Sequence, residues 1–242
     1  MRRALSFLTV LGRASSPDTR TLSWFPLVGV GVGALVGGTW WVAGRIWPAW
    51  LAAAVAVAVD AVVTGCLHLD GLADAADGLI PPVSRSRRFE IMADPRVGAF
   101  GAVALVLVLI LRVGSLASTV ARPLVIAGLW CGSRTLMAVT ARTLRSAHPD
   151  VGTTAAFVGE PDRARPSVLE RYGVAVYGLG LAALLSVLGV GLRGCVVVGV
   201  EMVAFVAIIW FASRRLGGYT GDVLGAAGVI GETAGLLVLA AH

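Results

Sequence analysis

Seven stretches of roughly 20 mostly apolar residues follow one another along this chain of 242 residues. A helix needs about 20 apolar residues to cross a hydrocarbon core of about 30 Å. Only 14% of the residues are charged, too few to give a water-soluble domain of this size its polar surface. The sequence therefore predicts an all-α, polytopic membrane helix bundle with about seven transmembrane helices, formed as a single domain over residues 1–242. The stretches cover roughly residues 25–44, 49–67, 98–120, 123–141, 173–192, 194–212 and 223–241.

The basic residues, all 20 of which are arginine, indicate how the bundle is oriented. With the N-terminus inside, 15 arginines precede the first stretch or lie in cytoplasmic loops, and three lie in loops on the other side. Arginine-rich loops stay on the cytoplasmic side. We therefore expect a cytoplasmic N-terminus, an external C-terminus and a place in the cell (inner) membrane, with the functional site on the cytoplasmic face. The net charge of +6 then requires no nucleic acid as a partner.

Some features are left open by the sequence. Residues 5–11 and 153–158 are apolar but too short to cross a bilayer, and the sequence does not decide whether they dip into the lipid. Glu201 and Glu232 lie inside predicted spans, where a charge is costly and either functional or paired with another buried charge. Whether the chain forms a homo-oligomer is also left open.

A cluster of acidic residues follows the second apolar stretch. Asp70, Asp74 and Asp77 are spaced i, i+4 and i+7, which places them on one side of a helix. Carboxylates stacked in this way repel one another unless a cation neutralises them, and hard oxygen ligands suit Mg²⁺. The spacing therefore predicts a Mg²⁺ site, with a solvated acidic helix face as the alternative. His68 points away from the acids on a straight helix, so we expect it to be a hydrogen-bonded histidine rather than a ligand.

A second polar cluster lies in the same loop and contains Arg88, Glu90, Asp94 and Arg96. Guanidinium groups bind phosphate oxygens through paired hydrogen bonds. Together with an acidic metal site, the cluster predicts a phosphate-bearing substrate. The alternative is the ordinary positive charge of a cytoplasmic loop, and this explanation is favoured for the other arginines of the loop.

Two further positions belong to this set of polar residues. Arg134 lies inside the fourth predicted span, where a charge is usually functional or paired. Asp222 ends a glycine-rich turn, residues 217–222, whose backbone N–H groups could face an anion. We expect both residues to close the site from neighbouring helices.

These segments together resemble the cobalamin synthase (adenosylcobinamide-GDP ribazoletransferase) family. The matching stretches are HLDGLADAADGL at 68–79, RRFEIMADPRVGAFGAVAL at 87–105, the pair Ser133–Arg134, and GGYTGDVLGA at 217–226. The chain departs from the family in two places. The family often has Lys-Asp-Ser where this chain has Ala93, Asp94 and Pro95, and it tends to carry more polar residues after Ala226.

The resemblance implies a Mg²⁺-dependent phosphotransferase that acts late in cobalamin biosynthesis. A ribose hydroxyl of α-ribazole, or of α-ribazole 5′-phosphate, would attack the phosphorus attached to cobinamide in adenosylcobinamide-GDP. GMP would leave, and adenosylcobalamin or its 5′-phosphate would form. Under this interpretation Asp94 orients or deprotonates the ribose hydroxyl, and Arg88 and Arg96 bind the leaving GMP. The expected residues are Asp74 and Asp94 as catalytic, Arg88, Glu90, Arg96, Arg134 and Asp222 as substrate-binding, and Asp70, Asp74 and Asp77 as metal ligands.

Three other functions remain as alternatives. CDP-alcohol phosphotransferases also have Asp-Gly in their motif, but they continue with Ala-Arg where this chain has Ala73 and Asp74. Aspartate-rich prenyltransferases place acidic helices in a bundle, but their motif begins with Asn-Asp. A transporter would use the charges within the spans as an ion path, yet the two halves show no clear repeat and the polar residues cluster at one face.

Overall fold

The computed structural model describes residues 1–11, 20–147 and 168–241, with the side chains of residues 168–171 left out. The described residues form ten α-helices and no β-sheet, as the apolar stretches predict. Segment 153–158 lies outside the described residues, whereas residues 5–11 fall in the first helix and the turn after it. The helices are α1 Arg2–Leu8, α2 Phe25–Ala43, α3 Ala49–Val63, α4 Leu67–Leu79, α5 Arg85–Met92, α6 Ala99–Ala117, α7 Pro123–Thr143, α8 Val168–Val190, α9 Arg193–Leu216 and α10 Gly221–Ala240.

Six of these helices, α2 and α6 to α10, are long and apolar enough to cross a membrane. They coincide with six of the seven predicted stretches. Helix α7 is the most enclosed of the six, because α2, α8, α9 and α10 all pack against it. The prediction of a polytopic membrane helix bundle is therefore confirmed.

The second predicted stretch, 49–67, is not one straight helix. Helix α3 has 15 residues, fewer than the roughly 20 that a crossing needs, and α4 bends away from it by 88°. Gly65 and Cys66 both have positive φ, +59° and +57°, a backbone conformation that ends a right-handed helix. Counted as one broken span, α3 and α4 bring the total to seven.

Close helix packing in the bundle depends on glycines of α2. A Cβ on Gly29, Gly33 or Gly37 would lie within 3 Å of the backbone of α7, so a side chain at these positions would push the two helices apart. Missing side chains allow helix backbones to approach closely inside a membrane. The glycine spacing therefore fixes α2 against α7.

The polar loops gather at one end of the bundle, which we call the polar end: α4, α5, the first turns of α6 and α10, and the last turns of α7 and α9. Asp77 of α4 contacts Gly98 at the start of α6, and Arg215 at the end of α9 contacts the carbonyl of Leu79. At the opposite end, Arg193 donates to the carbonyl of Val238. All the segments predicted to carry chemistry, apart from Arg134, therefore meet at the polar end.

Candidate active site

Three carboxylates at the polar end lie close together without basic partners. Asp70 is exposed, and Asp74 and Asp222 are half-buried. The charged groups that act on Asp74 are the carboxylates of Asp70, Asp222 and Asp77. No ion pair between described residues involves Asp70, Asp74 or Asp222. We call these three residues the acidic cluster.

The close approach of α4 and α10 brings Asp222 to the acidic cluster. A Cβ on Gly71 would lie 2.9 Å from both Cα and the carbonyl oxygen of Asp222, so only glycine permits this contact. Thr220 caps α10 by accepting a hydrogen bond from the N–H of Val223 at 3.2 Å. The expectation that Asp222 approaches the site from a neighbouring helix agrees with this geometry.

Asp77 differs from the other two aspartates of α4. It is buried, and its oxygens accept hydrogen bonds from the backbone N–H groups of Gly98 at 2.7 Å and Gly101 at 3.0 Å. Helical spacing alone groups Asp77 with Asp70 and Asp74, but the packing of α6 against α4 gives it separate partners. Within the part of the chain that the structure describes, no group of three or more His, Cys, Asp or Glu side chains has the geometry to hold a metal ion.

The remaining donors nevertheless fit a divalent cation that is shared with a substrate. Mg²⁺ commonly takes one or two protein carboxylates and completes its shell with water and phosphate oxygens. Asp70 and Asp74 lie one helical turn apart, and Asp222 adds a third negative charge from α10. Crowded carboxylates without a basic partner are the charge distribution that a cation would stabilise.

Arg88 does not have the position expected for a phosphate ligand. It is buried, and its Nη1 donates to the carbonyl oxygens of Gly78 at 2.7 Å and Leu79 at 2.8 Å. Arg215 donates to the same carbonyl of Leu79. The last carbonyls of a helix lack partners within the helix, and arginine commonly satisfies them. Arg88 and Arg215 therefore hold the C-terminal end of α4.

Asp94, Arg96 and Glu90 form surface ion pairs. Arg96 donates through Nε at 2.9 Å and Nη2 at 2.7 Å to the two oxygens of Asp94, and its side chain is 87% exposed. Glu90 pairs with Arg87 at 2.6 Å. The hydrogen bonds from Arg96 hold the pKa of Asp94 at about 2. Asp94 therefore stays ionised at neutral pH, but it is a weak base.

Arg134 lies inside the bundle, in a group that we call the buried ion network: Asp60, Arg112, Arg134 and Glu232. Arg134 pairs with Glu232, and Arg112 bridges Glu232 at 2.5 Å and Asp60 at 2.9 Å. Every member is less than one-tenth exposed. The network therefore joins α3, α6, α7 and α10. It supplies the paired-charge explanation that the sequence leaves open for Glu232, while the substrate contact of Arg134 stays a prediction.

Four buried side chains have polar atoms without a hydrogen-bond partner among the described residues, and two of these side chains are ionisable. Both carboxylate oxygens of Glu201 are unpaired, as is Nδ1 of His68. His68 is buried, and its backbone packs against Gly225 of α10. The sequence predicts a hydrogen-bonded histidine that points away from the acids, and in the structure the Nδ1 atom has no partner among the described residues.

Sequence reasoning missed two residues whose contacts are with main-chain atoms of another helix. Gly71 allows α10 to approach α4 closely, and Arg215 donates to a carbonyl of α4 that lies 136 positions away in sequence. A glycine directly after the first aspartate was a visible signal for the close approach. No pattern in the sequence pointed to Arg215, because its partner is a main-chain oxygen.

The fold and the site together define a polytopic membrane protein with an unpaired acidic cluster at the polar end. Such an arrangement suits a membrane-bound transferase that binds a phosphate-bearing ligand together with a cation.

Comparison with known proteins identifies the family. The family described as cobalamin-5-phosphate synthase matches residues 1–240. The adenosylcobinamide-GDP ribazoletransferases of Shigella boydii serotype 4 and Escherichia coli O9:H4 are each 36% identical over an alignment of 229 positions that covers 91% of this chain and 87% of theirs. The enzyme of that name from Chlorobaculum tepidum is 35% identical over an alignment of 246 positions, gaps included, that covers 98% of this chain and 92% of its own. No solved structure matches. The chain belongs to the cobalamin-5-phosphate synthase family, as its motifs predict.

Proposed function

We propose that this protein is an adenosylcobinamide-GDP ribazoletransferase that joins adenosylcobinamide-GDP to α-ribazole or α-ribazole 5′-phosphate. A ribose hydroxyl attacks the phosphorus attached to cobinamide, and the bond from that phosphorus to the oxygen of GMP breaks. The hydroxyl loses its proton, GMP leaves, and the new phosphodiester completes adenosylcobalamin or its 5′-phosphate. Support comes from the family and from relatives of that name over more than nine-tenths of the chain.

The single structural observation that carries the proposal is the acidic cluster. Displacement at phosphorus depends mainly on charge neutralisation and in-line positioning. Asp70 and Asp74 would hold Mg²⁺, with the negative charge of Asp222 nearby, and the ion would neutralise charge on the diphosphate oxygens. The cluster supports this assignment because its charges have no basic partner among the described residues, whereas the charges of the buried ion network are paired.

Glu90 of α5, and Asp94 and Arg96 between α5 and α6, would contact the polar part of the substrate. Arg96 is exposed, so its guanidinium is accessible to a phosphate of the leaving GMP. A carboxylate with a pKa of about 2 accepts a proton poorly at neutral pH, so Asp94 is better suited to orient a hydroxyl than to deprotonate it. Glu90 remains a proposed substrate contact through its exposed carboxylate.

The reaction is tested with the purified protein in liposomes. Adenosylcobinamide-GDP and α-ribazole, or its 5′-phosphate, are supplied with Mg²⁺, and release of GMP and formation of the corrinoid product are measured. We expect equal amounts of both products and no release of GMP without the acceptor. Parallel reactions with CDP-diacylglycerol or a prenyl diphosphate test the other transferase classes. Turnover of either one, with none of the cobalamin precursors, would contradict the proposal. Substrate flux across sealed vesicles without chemical change would indicate a transporter.

We also propose that the polar end faces the cytoplasm of a cell whose inner membrane holds the protein. The arginine distribution supports this orientation, since 15 of the 20 arginines precede the first predicted span or lie in the loops predicted to be on the same side as the polar end. The test uses a cysteine-free variant that carries Ser86→Cys or Ser118→Cys. Both serines are exposed, at opposite ends of the bundle. A membrane-impermeant maleimide should label only Ser118→Cys in intact spheroplasts and only Ser86→Cys in inverted vesicles. The opposite result would reverse the orientation.

A further inference from the structure

The N-terminus of α6 is capped by a side chain from a different helix. Gly98, which precedes α6, has no side chain to cap it. Asp77 of α4 instead accepts a hydrogen bond from the N–H of Gly98 at 2.7 Å and from the N–H of Gly101 at 3.0 Å. A capping box satisfies the same two N–H positions from within one helix. Here one carboxylate from α4 satisfies both.

The two glycines are required by this arrangement. A Cβ on Gly98 or on Gly101 would lie 2.5 Å from a carboxylate oxygen of Asp77, and the one on Gly101 would also lie 2.9 Å from the carbonyl of Ala73. Gly114, on the same helix, would place a Cβ with no described atom within 4 Å. A side chain therefore has no room in the first turn of α6, where the helix packs against Asp77 and Ala73, but it has room at Gly114 later in the same helix.

We propose that Asp77 is a positioning residue that caps α6 from α4 and so fixes the helix that carries Asp70 and Asp74. A negative charge at the N-terminus of a helix is stabilised by the unpaired N–H groups and by the helix dipole. Arg88 and Arg215 hold the carbonyls of Gly78 and Leu79, which directly follow Asp77. The cap at Asp77 and these bonds therefore fix the same C-terminal end of α4, the cap doing so against α6. The role deepens the transfer reaction proposed above and rests on it for its kinetic readout.

The test moves the cap from α4 to α6. Asp77→Ala removes the acceptor, and we expect turnover to fall about tenfold or more and the melting temperature in detergent to fall as well. In the double variant Asp77→Ala/Gly98→Ser, the new serine can cap α6 itself, because Gly98 has the extended backbone angles of an N-cap residue, φ −88° and ψ −178°. Its Cβ takes the space that the carboxylate vacates. We expect the double variant to recover turnover to within about threefold of the wild type.

Mg²⁺ titration and two glycine variants separate positioning from direct participation. The double variant should require the same Mg²⁺ concentration for half-maximal turnover as the wild type. Gly101→Ala, which displaces the carboxylate without removing it, should reproduce the loss in Asp77→Ala, and the matched control Gly114→Ala should not. Asp77→Asn keeps one acceptor oxygen, so its turnover and melting temperature should lie between those of the wild type and Asp77→Ala. This variant keeps the test decisive even if Asp77→Ala does not fold.

Two results would overturn the proposal. Recovery of the melting temperature without recovery of turnover in the double variant would show that the carboxylate itself takes part in the reaction. Unchanged turnover and melting temperature in Asp77→Ala would show that α6 needs no cap. Since the melting temperature is measured without substrate, the cap can be tested even if the protein catalyses a different reaction.

Discussion

The acidic cluster and the buried ion network place carboxylates in one bundle under opposite conditions. In the network, Asp60 and Glu232 are buried, and each pairs with an arginine. In the cluster, Asp70, Asp74 and Asp222 are open to the surface to differing degrees and pair with no basic residue that the structure describes. The comparison teaches that the charges of the network stabilise one another within the fold, whereas the charges of the cluster have no such partners, which supports the cation site proposed there.

Substitutions in the buried ion network should have the largest effect, and the property affected should be the stability of the fold. Glu232→Gln leaves two buried arginines against the single charge of Asp60, and breaking a buried pair typically costs about 3–5 kcal/mol. We expect a large loss of folded protein, measured by fluorescence-detected size exclusion and by the melting temperature in detergent. Glu232→Gln/Arg134→Gln removes one charge of each sign and should recover part of the loss. A single variant as stable as the wild type would contradict the structural role.

Substitutions in the acidic cluster should lower turnover and leave the fold stable. Asp74→Asn relieves repulsion among the carboxylates, so we expect a melting temperature equal to or above that of the wild type. Turnover should fall about 10²–10³-fold, the typical effect of losing one electrostatic contact to the transition state. GMP release in liposomes at saturating Mg²⁺ measures it. Unchanged turnover at saturating Mg²⁺ would refute the metal assignment.

A substitution at the contact between α4 and α10 should lower both the melting temperature and the turnover. Gly71→Ala forces a Cβ against the backbone of Asp222, and overpacking of this kind costs about 1–3 kcal/mol. We expect a lower melting temperature together with turnover reduced by about tenfold, because Asp222 moves away from Asp74. Gly38→Ala is the matched control, since a Cβ there meets no described atom within 4 Å. Equal behaviour of the two variants would show that the contact does not matter.

Loss of the exposed ion pair between Arg96 and Asp94 should have the smallest effect on folding. Arg96→Ala breaks a pair whose arginine is 87% exposed, so the melting temperature should not change measurably. A higher KM for adenosylcobinamide-GDP with a similar kcat is expected if Arg96 binds the leaving nucleotide. Arg87→Ala, at the exposed pair with Glu90, is the control for a nearby arginine. An equal rise in KM for both variants would show a general effect of charge.

Much of the fold could be predicted because the bilayer requires long apolar helices. Helices α6, α7 and α9 cover the predicted stretches closely. The break after Val63 could not be predicted, because the apolar sequence continues to Leu67 while the backbone at Gly65 and Cys66 turns left-handed. Hydropathy reports solvent preference, not backbone angles, so a sharp bend inside an apolar stretch leaves little trace in it.

The sequence predicts which polar segments meet at the polar end better than it predicts the contacts of individual residues. Helical spacing grouped Asp70 with Asp74, and the structure keeps both in one electrostatic group with Asp222. The separate partners of Asp77 and Arg88 depend on how neighbouring helices pack, which periodicity within one helix does not contain. Arg134 was recognised as a costly intramembrane charge, but its partner lies 98 positions away in sequence.

Binding of a divalent cation tests the central claim most directly. Mn²⁺, as a spectroscopic substitute for Mg²⁺, is added to the purified protein in nanodiscs with adenosylcobinamide-GDP and no acceptor. Electron paramagnetic resonance then measures the bound fraction. We predict saturable binding in the wild type that is strongly weakened in Asp74→Asn. Absence of bound Mn²⁺ in the wild type, or the same affinity in Asp74→Asn, would contradict the assignment of the acidic cluster as the site of chemistry.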